Sequence, residues 1–126
     1  MVLYPGERIA PLNPFTNPGY VINAFYFVTT YGRYFSTYNR TFSELHQQYD
    51  TDGYLNVQVS TNAGQKHVIS HRGVLATFAP VPDMYNLQVD HIDGNHANNN
   101  ISNCLLGRLS HDLFLSFLAL FLCLSL

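Results

Sequence analysis

Residues 89–103, which read VDHIDGNHANNNISN, constrain the fold more than any other stretch of the chain. A short apolar run leads into Asp90 and His91, and a crowd of asparagines follows. Residues 93–95 form an Asp-Gly-Asn triplet, whose members accept the backbone angles of tight turns. The stretch therefore predicts a β-hairpin that carries a long irregular loop.

Asp90 and His91 can do chemistry on such a hairpin. Because they are adjacent, their side chains point to opposite faces of an extended strand, so the carboxylate can hold a metal ion while the imidazole faces a substrate. The asparagines behind them are Asn98, Asn99, Asn100 and Asn103. Their short amides can bond to unpaired backbone groups and hold the loop in one shape.

Two plainer interpretations compete with the chemical one. Loops rich in Asp, Asn and Gly are usually solvated turns and nothing more. A calcium-binding loop would carry carboxylates at alternate positions, with glycine at the sixth. Asp90, Asp93 and Gly94 instead take the first, fourth and fifth positions, so the calcium loop is excluded and the solvated turn stays open.

The same residues resemble the motif of the HNH nucleases, which have the ββα-metal fold, and in particular the homing-endonuclease-like members found in phages. The match rests on residues 90–95, Asn98, Asn99 and Asn103. The resemblance implies that His91 is the general base and that Asp90 binds a divalent ion. It also implies that Asn103, together with Asn99, has a structural role in the motif and braces the loop.

The resemblance further implies metal-dependent hydrolysis of DNA phosphodiester bonds. His91 would take a proton from the attacking water, and one divalent ion, which we expect to be Mg²⁺, would stabilise the charge at phosphorus and on the leaving 3′ oxygen. Counting along the motif puts the second metal ligand at Asp112, where the family usually has Asn or His. We expect removal of His91 to leave the fold intact, because it braces nothing.

Composition limits the partners of the chain. Its 126 residues, 47% of them hydrophobic, suffice for one domain with a modest core. The formal net charge of -2 argues against strong autonomous binding to double-stranded DNA, because duplex binders usually carry a basic face.

Cys104 and Cys123 form no CxxC pair, so we expect no zinc. No secretory signal is evident, and we expect the cytoplasm of a bacterium or a phage-infected host cell. The oligomeric state stays open.

Composition also divides the chain into four segments. Residues 1–19 hold four prolines and predict an extended arm. Residues 20–52 contain an aromatic and β-branched run that predicts a hairpin with its turn at residues 31–33. Residues 53–112 form the nuclease domain, and an apolar tail covers residues 113–126. Together they predict an α+β fold of small antiparallel hairpins with a C-terminal ββα-metal (HNH) unit.

The hairpin segment resembles a small motif that often precedes HNH domains in phage nucleases. The matching residues are Gly32, Arg33 and Ser36. Packing of the aromatic side chains into the core and a DNA-backbone contact by Arg33 are both compatible with this match. We expect Arg72 and Lys66 to contact DNA as well. The polar residues 42–48 suggest a short helical turn.

The nuclease segment begins with a predicted hairpin and a predicted helix. Alternating apolar residues predict two strands joined by a turn at residues 61–64. Ser70 is the expected cap of a helix over residues 71–78. This helix also resembles one that packs behind the nuclease hairpin in the family: His71, Arg72, Val74 and Phe78 match it, and Gly73 does not. A glycine at that position costs about 1 kcal/mol of helix stability. We expect His71 to be structural, because nothing acidic stands near it in the sequence.

The tail, LFLSFLALFLCLSL, is fourteen residues without a charge. A bilayer span needs about 20 apolar residues, so we expect no membrane partner. The tail is compatible with a buried helix, an interfacial segment, or out-of-frame sequence joined to a truncated nuclease. We favour the last, because a small domain can hardly cover a helix that is apolar on every face.

Two alternative functions stay open. The apolar tail and the net negative charge support a catalytically inactive DNA-binding or regulatory fragment. The tail alone supports a membrane-associated small protein.

Overall fold

A computed structural model of the chain describes residues 1–16, 19–82 and 84–107. These ranges contain short strands, the helix α1 (Ser70–Phe78) and two 3₁₀ turns, Met84–Asn86 and Ile101–Asn103. The strands are β1 (Ile9–Pro11), β2 (Tyr26–Thr29), β3 (Tyr34–Ser36), β4 (Ser43–Glu44), β5 (Gln48–Tyr49), β6 (Leu55–Thr61), β7 (Gly64–Ile69), β8 (Gln88–His91) and β9 (Cys104–Gly107).

The strands form three antiparallel sheets. The first has the order β1-β2-β3-β4, the second β5-β6-β7, and the third is the pair β8-β9. Helix α1 packs against β2 and β6, and the α+β class is confirmed. The helix expected after β9, Asp112 and the tail at 113–126 lie outside the described residues. Within the described residues, no helix is long and apolar enough to cross a membrane.

Two hairpins predicted from apolar and aromatic runs are confirmed. Strands β2 and β3 pair with Phe27 opposite Phe35, around a turn at residues 30–33. Strands β6 and β7 pair as far as Thr61 opposite Gly64. Because side chains alternate along a strand, each hairpin sends one set of apolar side chains into the core. This set is Tyr26, Val28, Tyr34, Val57, Val59 and Val68.

The helical turn predicted over residues 42–48 is wrong. The backbone there forms strands, because β4 pairs with β3 and β5 pairs with β6. The helical periodicity of this polar stretch is weak, and hydrogen bonds to strands that are distant in sequence outweigh it. The Gln47 side chain between the two strands donates to the Gly32 carbonyl at 2.7 Å. The stretch therefore links the first sheet to the second.

Helix α1 covers the predicted residues, but the predicted capping role of Ser70 is wrong. The cap position is Ile69, whose side chain makes no capping hydrogen bond. Strand β7 runs directly into the helix, so Ser70 is the first helical residue and is buried. Within the described part of the chain its hydroxyl has no hydrogen-bond partner. The helix ends at Phe78, two residues before Pro80.

Gly73 makes room for a tyrosine of the first sheet. The Tyr34 side chain is fully buried, and its hydroxyl donates to the Ser70 carbonyl at 2.7 Å. Burial raises the pKa of this phenol. A Cβ at Gly73 would overlap the Tyr34 hydroxyl and press on Val68. The glycine that departs from the family pattern is therefore required by the packing of α1 on β3.

Gly73→Ala is expected to lower the free energy of unfolding by about 2 kcal/mol, although alanine is the better helix former. Overpacking a buried site typically costs about 1–3 kcal/mol, and a lost hydrogen bond about 1 kcal/mol more. Helix propensity returns only about 1 kcal/mol. Urea unfolding followed by circular dichroism measures the difference. In a Tyr34→Phe background the hydroxyl is gone, so an equally large loss there would contradict this explanation.

Candidate active site

The predicted hairpin of residues 89–103 is confirmed, with β8 and β9 joined by an irregular loop. The two strands pair with His91 opposite Cys104. Alternation along β8 leaves Asp90 exposed and His91 buried, with 9% of its surface accessible. The two side chains therefore lie on opposite faces of the strand, as strand alternation predicts.

Asn103 ties the two ends of the loop together. Its side-chain oxygen accepts from the Asp93 N–H at 3.1 Å, and its amide donates to the Asp93 carboxylate and the Asn98 carbonyl, both at 2.9 Å. Its own carbonyl accepts from the Ile92 N–H at 2.8 Å. Asn103 itself is buried, and these bonds to the loop are partly buried. One side chain thus holds the loop closed.

The Asp93 carboxylate accepts hydrogen bonds from within the loop. It accepts from the Asn98 amide at 2.9 Å and from the Asn95 N–H at 2.8 Å, besides Asn103. These bonds, with that from Asn98 the largest cause, hold the pKa of Asp93 below its usual value. Asp90 differs, since it is exposed and accepts from the neighbouring Gln88 side chain at 3.1 Å. Asp90 is therefore the better placed of the two to meet a cation.

His91 is fixed from behind by Asn99. The Nε2 atom of His91 lies 2.6 Å from Asn99 Oδ1, and Asn99 is 4% exposed. A carbonyl oxygen can only accept, so Nε2 carries the proton and the lone pair of the neutral ring lies on Nδ1. The ring is thereby oriented to take up a proton at Nδ1.

Four rings, which we call the ring cluster, gather around His91: Tyr54, His71, His91 and His96. Tyr54 stacks on His96 with ring centroids 4.2 Å apart and on His71 at 5.3 Å. The His71 ring lies 4.6 Å from that of His91. Tyr54 and His96 were not predicted as site residues, because no sequence periodicity relates the residue before β6 to a residue of the β8-β9 loop.

His71 has the surroundings of a structural histidine. It is buried, and its Nε2 donates to the Val89 carbonyl at 3.0 Å. Burial, and secondarily the neighbouring His91, lowers the pKa of His71 to about 4. The ring is therefore neutral at physiological pH. It joins α1 to β8 beside the candidate base.

Arg33 makes its contacts within the protein. Its Nε and Nη1 lie 3.0 and 3.5 Å from the carboxylates of Glu7 and Glu44, and its Nη2 donates to the Val2 carbonyl at 2.8 Å. The guanidinium also lies 4.8 Å from the centroid of the Tyr4 ring. The contacts with Glu7, Val2 and Tyr4 tie the first residues of the chain to the hairpin. They support a packing role, and a DNA contact by Arg33 stays a prediction.

The other two basic candidates lie in different settings. Arg72 donates from α1 to the carbonyls of Met84 and Leu87, at 2.8 and 2.9 Å, and burial lowers the pKa of its guanidinium. Arg72 therefore anchors the segment that leads into β8. Lys66 is exposed on β7. Of the three residues predicted to contact DNA, Lys66 has the most accessible charge.

Of the two expected metal ligands, Asp90 lies within the described residues and Asp112 lies outside them. Among the residues that the structure describes, no group of three or more His, Cys, Asp or Glu side chains is arranged to hold a metal ion. The hard cation Mg²⁺ usually takes one or two carboxylates and completes its shell with water and phosphate oxygens. An exposed carboxylate such as that of Asp90 fits this chemistry.

Comparisons with known proteins bear on the resemblance to the HNH nucleases. No protein-family profile matches the chain. A protein of Acanthamoeba polyphaga mimivirus, named as an uncharacterised HNH endonuclease, is 44% identical over 78 residues, which make up 62% of this chain and 23% of that protein. The chain therefore spans less than a quarter of the length of this relative.

A solved structure shares the fold. The HNH homing endonuclease I-HmuI, in a structure described as DNA binding and cleavage, is similar with a TM-score of 0.64 and 24% sequence identity. The similarity covers 80% of this chain and 52% of that one. This likeness shows the fold, and the mimivirus protein shares the sequence. Together with the hairpin that carries Asp90 and His91, these similarities support the resemblance of the chain to the HNH endonucleases.

Proposed function

We propose that the chain is a metal-dependent HNH endonuclease, of the homing-endonuclease type, that hydrolyses phosphodiester bonds in double-stranded DNA. The observation that carries the proposal is the placement of Asp90 and His91 on opposite faces of β8, with the His91 ring fixed by Asn99. The names of the relatives add support, since both are HNH endonucleases and one is described as binding and cleaving DNA.

His91 acts as the general base. Its Nδ1 takes a proton from a water molecule while that water attacks a DNA phosphorus. The positive charge that develops on the ring is stabilised by the Asn99 oxygen, which already accepts from Nε2 at 2.6 Å. General bases of this kind contribute about 10²- to 10⁴-fold to the rate.

Asp90, together with Asp112, would hold one divalent ion, for which we propose Mg²⁺. A bound ion of this kind supplies positive charge that stabilises the pentavalent phosphorus and the leaving 3′ oxygen. Asn103 and Asp93 keep the loop in shape and touch no substrate. The products would carry 5′-phosphate and 3′-hydroxyl ends.

The grip of this chain on DNA is expected to be weak and sensitive to salt. Its net charge is -2, and the guanidinium groups of Arg33 and Arg72 bind other parts of the protein. Lys66 offers an exposed charge, and phosphate contacts by lysine lose affinity steeply as salt rises. We place the activity in the cytoplasm of a bacterium or a phage-infected host cell.

The alternative function is a catalytically inactive DNA-binding or regulatory fragment, and the net charge of -2 supports it. Both functions predict DNA binding, but only the nuclease predicts new DNA ends. We therefore expect purified chain with Mg²⁺ to nick or linearise supercoiled plasmid, and DNA ligase to reseal the nicks, because ligase requires 5′-phosphate and 3′-hydroxyl ends. A gel shift at low salt without any cut in Mg²⁺ or Mn²⁺ would favour the inactive fragment.

A further inference from the structure

The turn between β2 and β3 packs directly on the loop of the candidate site. The Ile101 N–H donates to the Thr30 carbonyl at 2.7 Å, and Gly32 lies against Asn99. Gly32 has a φ of +81°, and a Cβ built on it would come within 2.8 Å of Asn99 Cβ and 3.0 Å of the Asn99 carbonyl oxygen. No side chain of any size fits between the turn and Asn99.

The turn is held firmly on its other sides. The Thr29 hydroxyl accepts from the N–H groups of Tyr31 and Arg33, both at 3.2 Å. The Gln47 amide donates to the Gly32 carbonyl at 2.7 Å. A Cβ on Gly32 would therefore displace the loop beneath the turn more readily than the turn itself.

Asn99 passes any displacement on to His91. The distance of 2.6 Å between Asn99 Oδ1 and His91 Nε2 leaves no room for an intervening water, and both residues are buried. A shift of Asn99 by a few tenths of an ångström changes the length and angle of that bond. A misplacement of about 1 Å can cost a catalytic group about 10²-fold in rate, so a shift of a few tenths of an ångström is expected to cost a smaller part of that.

We propose that Gly32 is a positioning residue of the nuclease: because it lacks a Cβ, Asn99 can sit where its amide sets the orientation and the tautomer of His91. The proposal rests on the proposed function. It gives the β2-β3 hairpin a part in the active site through packing alone, since no residue of the turn needs to touch DNA.

Gly32→Ala tests the proposal, with Gly64→Ala as the matched control. Both glycines have positive φ, +81° and +96°, but a Cβ on Gly64 meets nothing within 4 Å. Both substitutions therefore impose similar backbone strain, and only the first reaches Asn99. In single-turnover plasmid cleavage by the full chain with Mg²⁺, we expect Gly32→Ala to slow the maximal rate about tenfold or more. The protein concentration at half-maximal rate should stay unchanged, and Gly64→Ala should cut like the parent.

The His91 ring gives a readout that is independent of cleavage. Side-chain ¹H–¹⁵N correlation spectra distinguish the two neutral tautomers of histidine, and we expect the Nε2–H form in the parent and in Gly64→Ala. Gly32→Ala should shift the His91 ¹⁵N resonances toward a mixture of tautomers. Asn99→Asp keeps an accepting oxygen and should keep the Nε2–H form, whereas Asn99→Ala should lose it.

The outcomes separate the proposal from the proposed function. A His91 spectrum unchanged by Gly32→Ala, or equal rate losses from Gly32→Ala and Gly64→Ala, would overturn the positioning role even in an active nuclease. If the parent cuts no DNA but the spectrum responds to Gly32→Ala alone, the proposed function fails and the link from Gly32 to His91 stands. Should Gly32→Ala not fold, Gly32→Asn adds the same Cβ with less strain, because asparagine tolerates positive φ.

Discussion

Asp90→Asn is expected to slow Mg²⁺-dependent cleavage by about 10²-fold or more, whereas Asp112→Asn is expected to retain most of the parent rate. Removing the charge of a metal ligand forfeits several kcal/mol of charge stabilisation, and each 1.4 kcal/mol corresponds to about tenfold in rate. The family that the motif resembles usually has Asn or His as the second metal ligand, so Asp112→Asn introduces a side chain that the family already uses there. Single-turnover plasmid cleavage with saturating protein measures both rates.

Stability provides the control for this pair. Asp90 is exposed and its hydrogen bond from Gln88 lies at the surface, so the free energy of unfolding should change by less than about 0.5 kcal/mol. Equal loss of rate from both substitutions would contradict the placement of the second ligand at Asp112. Equal indifference would contradict the metal site as a whole.

His91→Ala is expected to lower the cleavage rate by about 10²- to 10⁴-fold, the usual contribution of a general base. The expectation that His91 braces nothing is wrong, because its Nε2 bonds to Asn99 and its ring packs against that of His71. The substitution leaves the Asn99 oxygen buried without its partner, which costs about 1–3 kcal/mol of stability. A loss of rate must therefore be separated from a loss of folded protein.

Gly73→Ala is the control for that separation. It should destabilise the fold by a similar amount, about 2 kcal/mol by the overpacking argument, while leaving His91 and Asp90 in place. At a temperature where circular dichroism finds each variant folded, Gly73→Ala should cut plasmid near the parent rate. His91→Ala cutting as fast as the parent under the same conditions would show that His91 is not the base.

Local sequence patterns predicted much of the fold. Alternating apolar residues and turn-forming residues predicted the β2-β3, β6-β7 and β8-β9 hairpins, because each is closed by neighbours in the sequence. The motif at residues 90–95 likewise predicted that Asp90 and His91 occupy opposite faces of one strand. These features depend on the two-residue period of a strand and on the turn angles that a few residue types favour. Both can be predicted from residue types and their spacing alone.

The missed features all join distant segments. Residues 42–48 form strands because β3 and β6 pair with them. Gly73 is needed because the side chain of Tyr34, on β3 of the first sheet, packs against α1 at this position. The stack of Tyr54 on His96 has the same origin. Such contacts depend on how sheets and helix pack in three dimensions, so no local period or turn signal predicts them.

Metal-dependent DNA cleavage with His91 as the base is tested by the single-turnover disappearance of supercoiled plasmid in three parallel reactions. These contain the full chain with Mg²⁺, the full chain with EDTA, and His91→Ala with Mg²⁺. We expect nicked or linear DNA in the first reaction and, on the same timescale, intact plasmid in the other two. Cleavage that survives EDTA or the loss of His91, or a parent chain that binds plasmid in Mg²⁺ without cutting it, would contradict metal-dependent cleavage with His91 as the base.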